Sequence, residues 1–233
     1  MSIRALFWGV GTATSRERSG WSLLSRSILG DVRTGILGGT FDPIHLAHLH
    51  TAESALHQLQ LDRVLIVPAG DPWQKSGRMI SSSSHRLAMC RLSIEGVAGL
   101  GVDERETRRD GPTFTINTLE TFPADEELVL ILGADAASRI RTWHRWEDVL
   151  DRTTLAVAPR SGALWGDDIP ATPIEMGLLE ISGTDIRYRV RQRKPFRFLV
   201  TKAVHDYIAD HHLYANGSGD DMVEAPMNME SSS

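Results

Sequence analysis

The chain has 233 residues, 41% of them hydrophobic and 24% charged, with a formal net charge of −5. That length and balance suit one globular domain with a full core, and the mild acidity argues against a protein that coats nucleic acid. A single cysteine, Cys90, excludes an internal disulfide and fits a reducing cytoplasm, and no apolar run approaches the length of a membrane span.

Residues 1–33 carry no clear period. The apolar run 5–10 with Ala13 behind it has the outline of a signal peptide but is short for one, so the segment is read as an extension, disordered or produced by an upstream start. Ile36 and Leu37 then enter a Gly38-Gly39 turn, after which Leu46, Leu49, Ala52, Leu56 and Leu59 recur at spacings of three and four. The pattern is strand, tight turn, helix. Two glycines let the backbone approach a ligand closely, and the helix behind them aims free N–H groups and its positive dipole end at the turn, which suits a phosphate. His45 and His48 share one face of that helix start.

The stretch Gly38-Gly39-Thr40-Phe41-Asp42-Pro43-Ile44-His45-Leu46-Ala47-His48 resembles the nucleotide-binding signature of the nucleotidyltransferase superfamily, with Ala47 where that pattern has glycine. The resemblance implies that Gly38, Gly39, Thr40 and Phe41 bind ATP and that His45 and His48 are catalytic. His50 adds a third nearby imidazole. A zinc reading of the three is disfavoured, because His50 points away on a helix and no Cys/His pair completes a tetrahedral set.

Downstream, 63–67 reads as a buried strand ending at Pro68, followed by a turn-rich loop over 69–75. Ser84 is the expected cap of a helix over 85–97, whose apolar face includes Leu87, Cys90, Ile94 and Val97. A short strand over 101–104, a turn at 108–112 and a helix over 113–122 come next. The run 127–132 is the most apolar in the chain and is expected to be a central strand, with Gly133 and Asp135 directly after it. Strands over 154–158 and 174–179 follow, then a helix over 182–192 with Ser182 and Asp185 in capping-box spacing. Val200, Ala203, Val204, Tyr207 and Ile208 form the stripe of a last helix. The organisation expected is an extension over 1–33, one domain over 34–214, and a disordered acidic tail over 215–233. Strands alternating with helices give an α/β fold, a doubly wound parallel sheet of Rossmann-like form, with ligands at the C-terminal strand ends.

Ile181-Ser182-Gly183-Thr184-Asp185-Ile186-Arg187 resembles the C-terminal signature of the same superfamily, with Gly183 in place of a serine. The resemblance implies that Ser182, Thr184 and Arg187 hold ATP phosphates, more weakly for the lost hydroxyl. The basic run 187–197 reads otherwise as a solvated face. Pro72-Trp73-Gln74-Lys75, Gly111-Pro112-Thr113-Phe114-Thr115, Gly133-Ala134-Asp135, Trp143-His144-Arg145-Trp146 and the ending Leu213-Tyr214 resemble bacterial nicotinate-nucleotide adenylyltransferase, over 34–214. That resemblance implies adenylyl transfer from ATP to nicotinate mononucleotide in NAD biosynthesis. Gly133 and Asp135 would serve adenosine. Lys75, Thr113, Thr115 and Trp143 would serve the mononucleotide, although core packing is the competing reading of Trp143 and Trp146. It implies Mg²⁺ carried by ATP phosphates and water with no metal ligand from the chain, and a cytoplasmic enzyme whose partners are its two substrates, without nucleic acid or membrane. A homo-oligomer is left open. The alternatives are adenylyl transfer to nicotinamide mononucleotide or another small phosphate, and a non-catalytic nucleotide-binding module on the same fold.

Overall fold

Side chains alternate across a strand, so a strand covered on both faces must be apolar throughout. The run Glu127–Gly133 does this: Val129 and Ile131 enter one core, while Leu128, Leu130 and Leu132 enter another on the opposite face. The computed structural model describes residues 32–70, 80–109, 111, 113–162 and 169–215. The expectations for 1–31, for 216–233 and for Lys75 lie outside those residues.

In chain order the elements are β1 (Arg33–Gly39), α1 (Leu46–Gln58), β2 (Arg63–Pro68), α2 (Ser83–Ser93) and β3 (Leu100–Val102). Then come α3 (Thr115–Leu119), β4 (Glu127–Gly133), α4 (Ala134–Ala137), α5 (Trp146–Arg152) and β5 (Thr154–Ala158). A two-residue β6 (Thr172–Pro173), α6 (Gly183–Arg191) and α7 (Lys202–Asp210) complete the described chain. The six strands form one sheet in the order β3-β2-β1-β4-β5-β6, with every neighbouring pair parallel. The doubly wound α/β sheet expected from the sequence is present. Strand order reverses between β1 and β4, and a crevice opens at such a reversal because the two following loops run to opposite faces.

Several boundaries differ from the sequence reading: the helix expected over 85–97 ends at Ser93 and leaves Val97 exposed, and the strand expected over 101–104 is Leu100–Val102. Helix α2 is capped by Ser82, whose hydroxyl accepts from His85 N–H at 3.4 Å, and not by Ser84. Four consecutive serines offer four caps, and tertiary contact chooses among them. The helix expected over 113–122 covers only Thr115–Leu119, because Phe114 is extended (φ −117°, ψ 136°) and carries Thr113 and itself into a cavity wall. The strand expected over 174–179 is absent: pairing stops after Ile174 N–H reaches Val157 O at 2.8 Å. The Gln58 amide then takes over, bonding both the N–H and the C=O of Glu175 at 2.8 and 2.7 Å.

One buried cation ties the sheet's upper edge together. Arg86 on α2 is 1% exposed. Its guanidinium donates to four carbonyls: Ser81 at 3.0 Å, Thr40 at 2.9 Å, Ala69 at 2.5 Å and Gly70 at 2.7 Å. Thr40 follows β1, and Ala69 and Gly70 follow β2. Arginine presents its donors in a rigid planar fork, which is why one side chain can satisfy loop carbonyls from two strands at once. Arg86→Met would leave those half-buried carbonyls without these donors. We expect a loss of about 3 kcal/mol or more in urea denaturation, with little recovery in Arg86→Lys because one ammonium cannot span the fork. An unchanged midpoint in the Met variant would show that the clamp contributes nothing to stability.

Candidate functional site

The turn after β1 works through its second glycine. A Cβ at Gly39 would stand 2.9 Å from the Phe41 ring, so glycine lets that ring fold beneath the turn. Phe41 adopts the left-handed region (φ 49°) and is buried. Its ring meets His48 edge-on at 4.9 Å, and His48 in turn stacks on His45 at 3.7 Å. Phe41 therefore acts as a prop beneath the histidines, and its side chain lines neither of the two cavities described below.

His45 is the extended N-cap of α1, and its main-chain N–H donates to Nδ1 of His48 at 3.3 Å. An imidazole that accepts at Nδ1 carries its proton on Nε2, so the contact fixes His48 as an Nε2–H donor. His45 is 4% exposed and its Nδ1 has no hydrogen-bond partner. Burial, aided by the charge of Arg160, lowers its pKa to about 4. The pair is thus a tautomer-fixed donor stacked on a neutral, buried ring.

Asp42 is buried at the centre of a second set of contacts. Its Oδ1 accepts from the Tyr214 hydroxyl at 2.7 Å, its Oδ2 from Ser81 N–H at 3.3 Å, and its carbonyl from Arg187 Nη1 at 2.6 Å. Burial, with the charge and hydrogen bond of Asp42 behind it, raises the Tyr214 hydroxyl well above its ordinary pKa. A Cβ at position 183 would stand 2.8 Å from the Asp42 carbonyl oxygen, so Gly183 serves close packing of the α6 start against the first signature. Arg187 is engaged with Asp42, Thr184 Oγ1 accepts from Arg187 Nη2 at 3.3 Å, and neither residue lines either of the two cavities described below. Ser182, by contrast, caps α6 by accepting from Asp185 N–H at 3.1 Å and does line one.

Two cavities meet at the β1–β4 crevice, and both touch Gly38, Gly39, Leu132 and Ala136. The larger, about 570 Å³, takes in His45, His48, Gly133, Asp135 and Ser182. Two cations that the sequence reading missed stand in it. Arg139 and Arg160 flank the Asp135 carboxylate at 3.9 and 3.8 Å. Arg139 follows Asp135 by one helical turn and Arg160 lies two residues past β5, after Pro159, the only sequence signal either residue gave. Among the described residues no cluster of three or more His, Cys, Asp or Glu side chains could hold a metal ion.

The smaller cavity, about 230 Å³, has an apolar floor of Ile36, Val67, Leu130 and Leu132. Trp143, Phe114 and His144 supply aromatic walls, with Phe114 and His144 rings 4.6 Å apart. Thr40, Thr113 and Thr115 supply hydroxyls. Glu106, also missed from the sequence, lines it as well and accepts from Thr118 Oγ1 at 2.6 Å. The structure thus gathers Gly38, Gly39, Thr40, Thr113, Thr115 and Trp143 around one cavity, and the histidines, Gly133, Asp135 and Ser182 around its neighbour. Trp146 lies apart, at the start of α5 with Arg141 5.5 Å from its ring centre.

Comparison with known proteins agrees with this geometry. The cytidylyltransferase-like family model matches residues 36–189. A Bordetella avium protein described as a probable nicotinate-nucleotide adenylyltransferase is 39% identical, over 78% of this chain and 98% of its own length. A Roseiflexus protein with the same description is 42% identical over 77% and 96%. Among solved structures, the Plasmodium falciparum nicotinic acid mononucleotide adenylyltransferase complexed with NaAD has a TM-score of 0.67 at 18% identity, covering 78% of this chain and 97% of that one. That likeness concerns the fold.

The low pKa of His45 has a consequence for stability. Between pH 6.5 and about 4 the unfolded chain takes up a proton at His45 that the folded chain refuses. Stability from this residue is therefore complete above pH 6.5 and is lost as pH falls, by at most about 3 kcal/mol. Urea denaturation across that range should show a shallower loss in His45→Asn than in the wild type. Parallel curves would mean that His45 titrates normally.

Proposed function

The chain belongs to the nicotinate-nucleotide adenylyltransferase family, and we infer that it transfers the adenylyl group of ATP to nicotinate mononucleotide, giving nicotinate adenine dinucleotide and pyrophosphate. The observation that carries this is the pair of unequal cavities meeting at Gly38-Gly39, with His45 and His48 in the larger one beside that junction. The larger cavity holds the cations that a polyphosphate needs. The smaller is apolar and aromatic with a few polar groups, the composition of a site for a planar ring.

In the reaction a phosphate oxygen of the mononucleotide attacks the α-phosphorus of ATP. The new O–P bond forms as the bond to the β-phosphate oxygen breaks, and pyrophosphate leaves in line. The attacking phosphate is already anionic, so no protein base is needed. Catalysis is placement and charge stabilisation. Gly38 leaves open space where a Cβ would stand, so phosphates can come close to the backbone. His48 donates from Nε2, the start of α1 offers its positive dipole end, and Arg139 and Arg160 add full charges. Arg187 acts indirectly, holding Asp42 and with it the turn on which the histidines stand. Asp135 suits ribose hydroxyls. The Trp143 ring provides a stacking face for the pyridine.

Mg²⁺ enters this reading as a passenger on the ATP phosphates. The carboxylates at the larger cavity are Asp135, already flanked by two arginines, and Glu180. They do not form an oxygen cage, so the ion would be held by phosphate and water oxygens, where it would neutralise charge.

Two measurements test the reading. Pyrophosphate release from ATP should be supported by nicotinate mononucleotide at least about tenfold better, in kcat/KM, than by nicotinamide mononucleotide. Equal or better use of the amide would move the assignment to the amide substrate, and no release with either would point to a binding module. His48→Ala should lower turnover by about 100-fold or more in a folded protein, while His50→Ala should be nearly silent.

A further inference from the structure

Glu106 stands in the wrong place for an enzyme whose ring substrate carries a carboxylate. It lines the small cavity. It is fixed there by three sets of contacts. Its carboxyl accepts from Thr118 Oγ1 at 2.6 Å and also bonds the Thr113 side chain. Its own segment is a hydrogen-bonded turn, with Arg108 N–H to Glu104 O at 3.2 Å and Arg109 N–H to Glu106 O at 3.2 Å. Its main chain presses on the loop after β2 so closely that a Cβ at Gly70 would lie 2.1 Å from the Glu106 carbonyl oxygen. These contacts hold the carboxyl in the cavity wall.

The hydroxyl hydrogens of Thr113 and Thr118 are directed at Glu106, so these side chains turn lone pairs, not donors, to a ligand. A nicotinate carboxylate entering this cavity of about 230 Å³ therefore meets a fixed acid of like charge, with no side-chain hydroxyl donor from either threonine. Two carboxylates confined so closely do not both stay ionised; one takes a proton, and the titration belongs to the pair.

Resting on the substrate assigned above, we propose that nicotinate mononucleotide binds with uptake of one proton by Glu106, so that the charge state of this residue sets the balance between acid and amide substrates. The proton comes from solvent and ends on the Glu106 carboxyl, which then offers an O–H where it had offered only lone pairs. The neutral amide makes no such demand.

Burial around Glu106 favours this outcome. Burial raises its pKa, against hydrogen bonds from Thr118 and Thr113 and the charge of Arg109, and Asp103 adds to the rise. Asp103 is itself held ionised by Arg105, at 2.9 and 2.7 Å. Across the cavity the titratable neighbour is His144, against Phe114. Thr40, Ala69 and Gly70, from the loops after β1 and β2, bring no charge.

Isothermal titration calorimetry in buffers of different ionisation enthalpy tests this without requiring turnover. At neutral pH, nicotinate mononucleotide should bind with uptake of about one proton more than nicotinamide mononucleotide, the phosphate common to both cancelling in the difference. In Glu106→Gln the difference should vanish. In turnover, the wild-type ratio of kcat/KM for acid over amide should fall as pH rises above the free-enzyme pKa of Glu106, by up to about tenfold per pH unit. The ratio in Glu106→Gln should be flat.

Equal proton uptake for the two ligands overturns the proposal, as does a difference that survives in Glu106→Gln and so belongs to another group. If that variant does not fold, Thr118→Val removes a hydrogen bond to the ionised Glu106 carboxyl and should move the fall in the acid-over-amide ratio to higher pH; an unmoved fall overturns the proposal. Failure of nicotinate mononucleotide to bind at all would instead overturn the substrate assignment on which the proposal rests.

Discussion

The site depends on a buried guanidinium. Loops after parallel strands carry carbonyls that the sheet no longer satisfies, and at this sheet two such loops must lie still beside the ligand crevice. Arg86 answers both requirements from below, donating to Thr40 after β1 and to Ala69 and Gly70 after β2. Burying a full charge is costly unless every donor is used, and here the partners are main-chain oxygens whose positions the strands already fix. The consequences spread from those contacts. With Thr40 held, Phe41 can prop His48, and with Gly70 held, the turn bearing Glu106 has a surface to press upon. The two cavities thus share one anchor that lines neither of them.

A second constraint lies at Asp42, where the two ends of the domain meet. The first signature contributes the aspartate, α6 contributes Arg187 and Gly183, and the chain end contributes Tyr214. Sequence separations of up to 172 residues close on one carboxylate. Loop-closure entropy of that size is recovered only if the contacts form together, which ties the geometry of the His45–His48 turn to folding of the whole domain.

Much of the fold was legible in the sequence because it rests on periodicity. Strands 63–68, 127–133 and 154–158 are short apolar runs closed by proline or glycine, and nothing competes with that reading. The boundaries that failed were those set by tertiary contact. The serine run at 81–84 cannot say which serine caps, and 174–179 looks like a strand until the Gln58 side chain captures its backbone. The site divided along the same line. Glycines and histidines in fixed order announced themselves. Arg86, Glu106, Arg139 and Arg160 did not, because no motif marks any of them and the meaning of each comes from carbonyls, hydroxyls or a carboxylate elsewhere in the chain. Arg187 gained a contact its signature did not announce: its guanidinium also reaches the Asp42 carbonyl, 145 residues away.

Charge is the problem this reaction sets for an acidic chain. The protein carries a net −5 and must bring together a triphosphate, a monophosphate and a ring carboxylate. Long-range attraction cannot do this, since the mean field of the chain repels all three and salt screens it within about 8 Å. The solution has to be local, and the two cavities use different ones. In the reaction we infer, fixed cations and a helix start would supply the compensation around the phosphates, with His45 a neutral ring whose lowered pKa leaves the positive charge to Arg139 and Arg160. Around the ring no such cation lines the cavity among the described residues; the compensation open to Glu106 is to give up its own charge. A proton delivered there removes one negative charge without placing a cation beside the pyridine, where a permanent positive charge would oppose the positively charged ring itself.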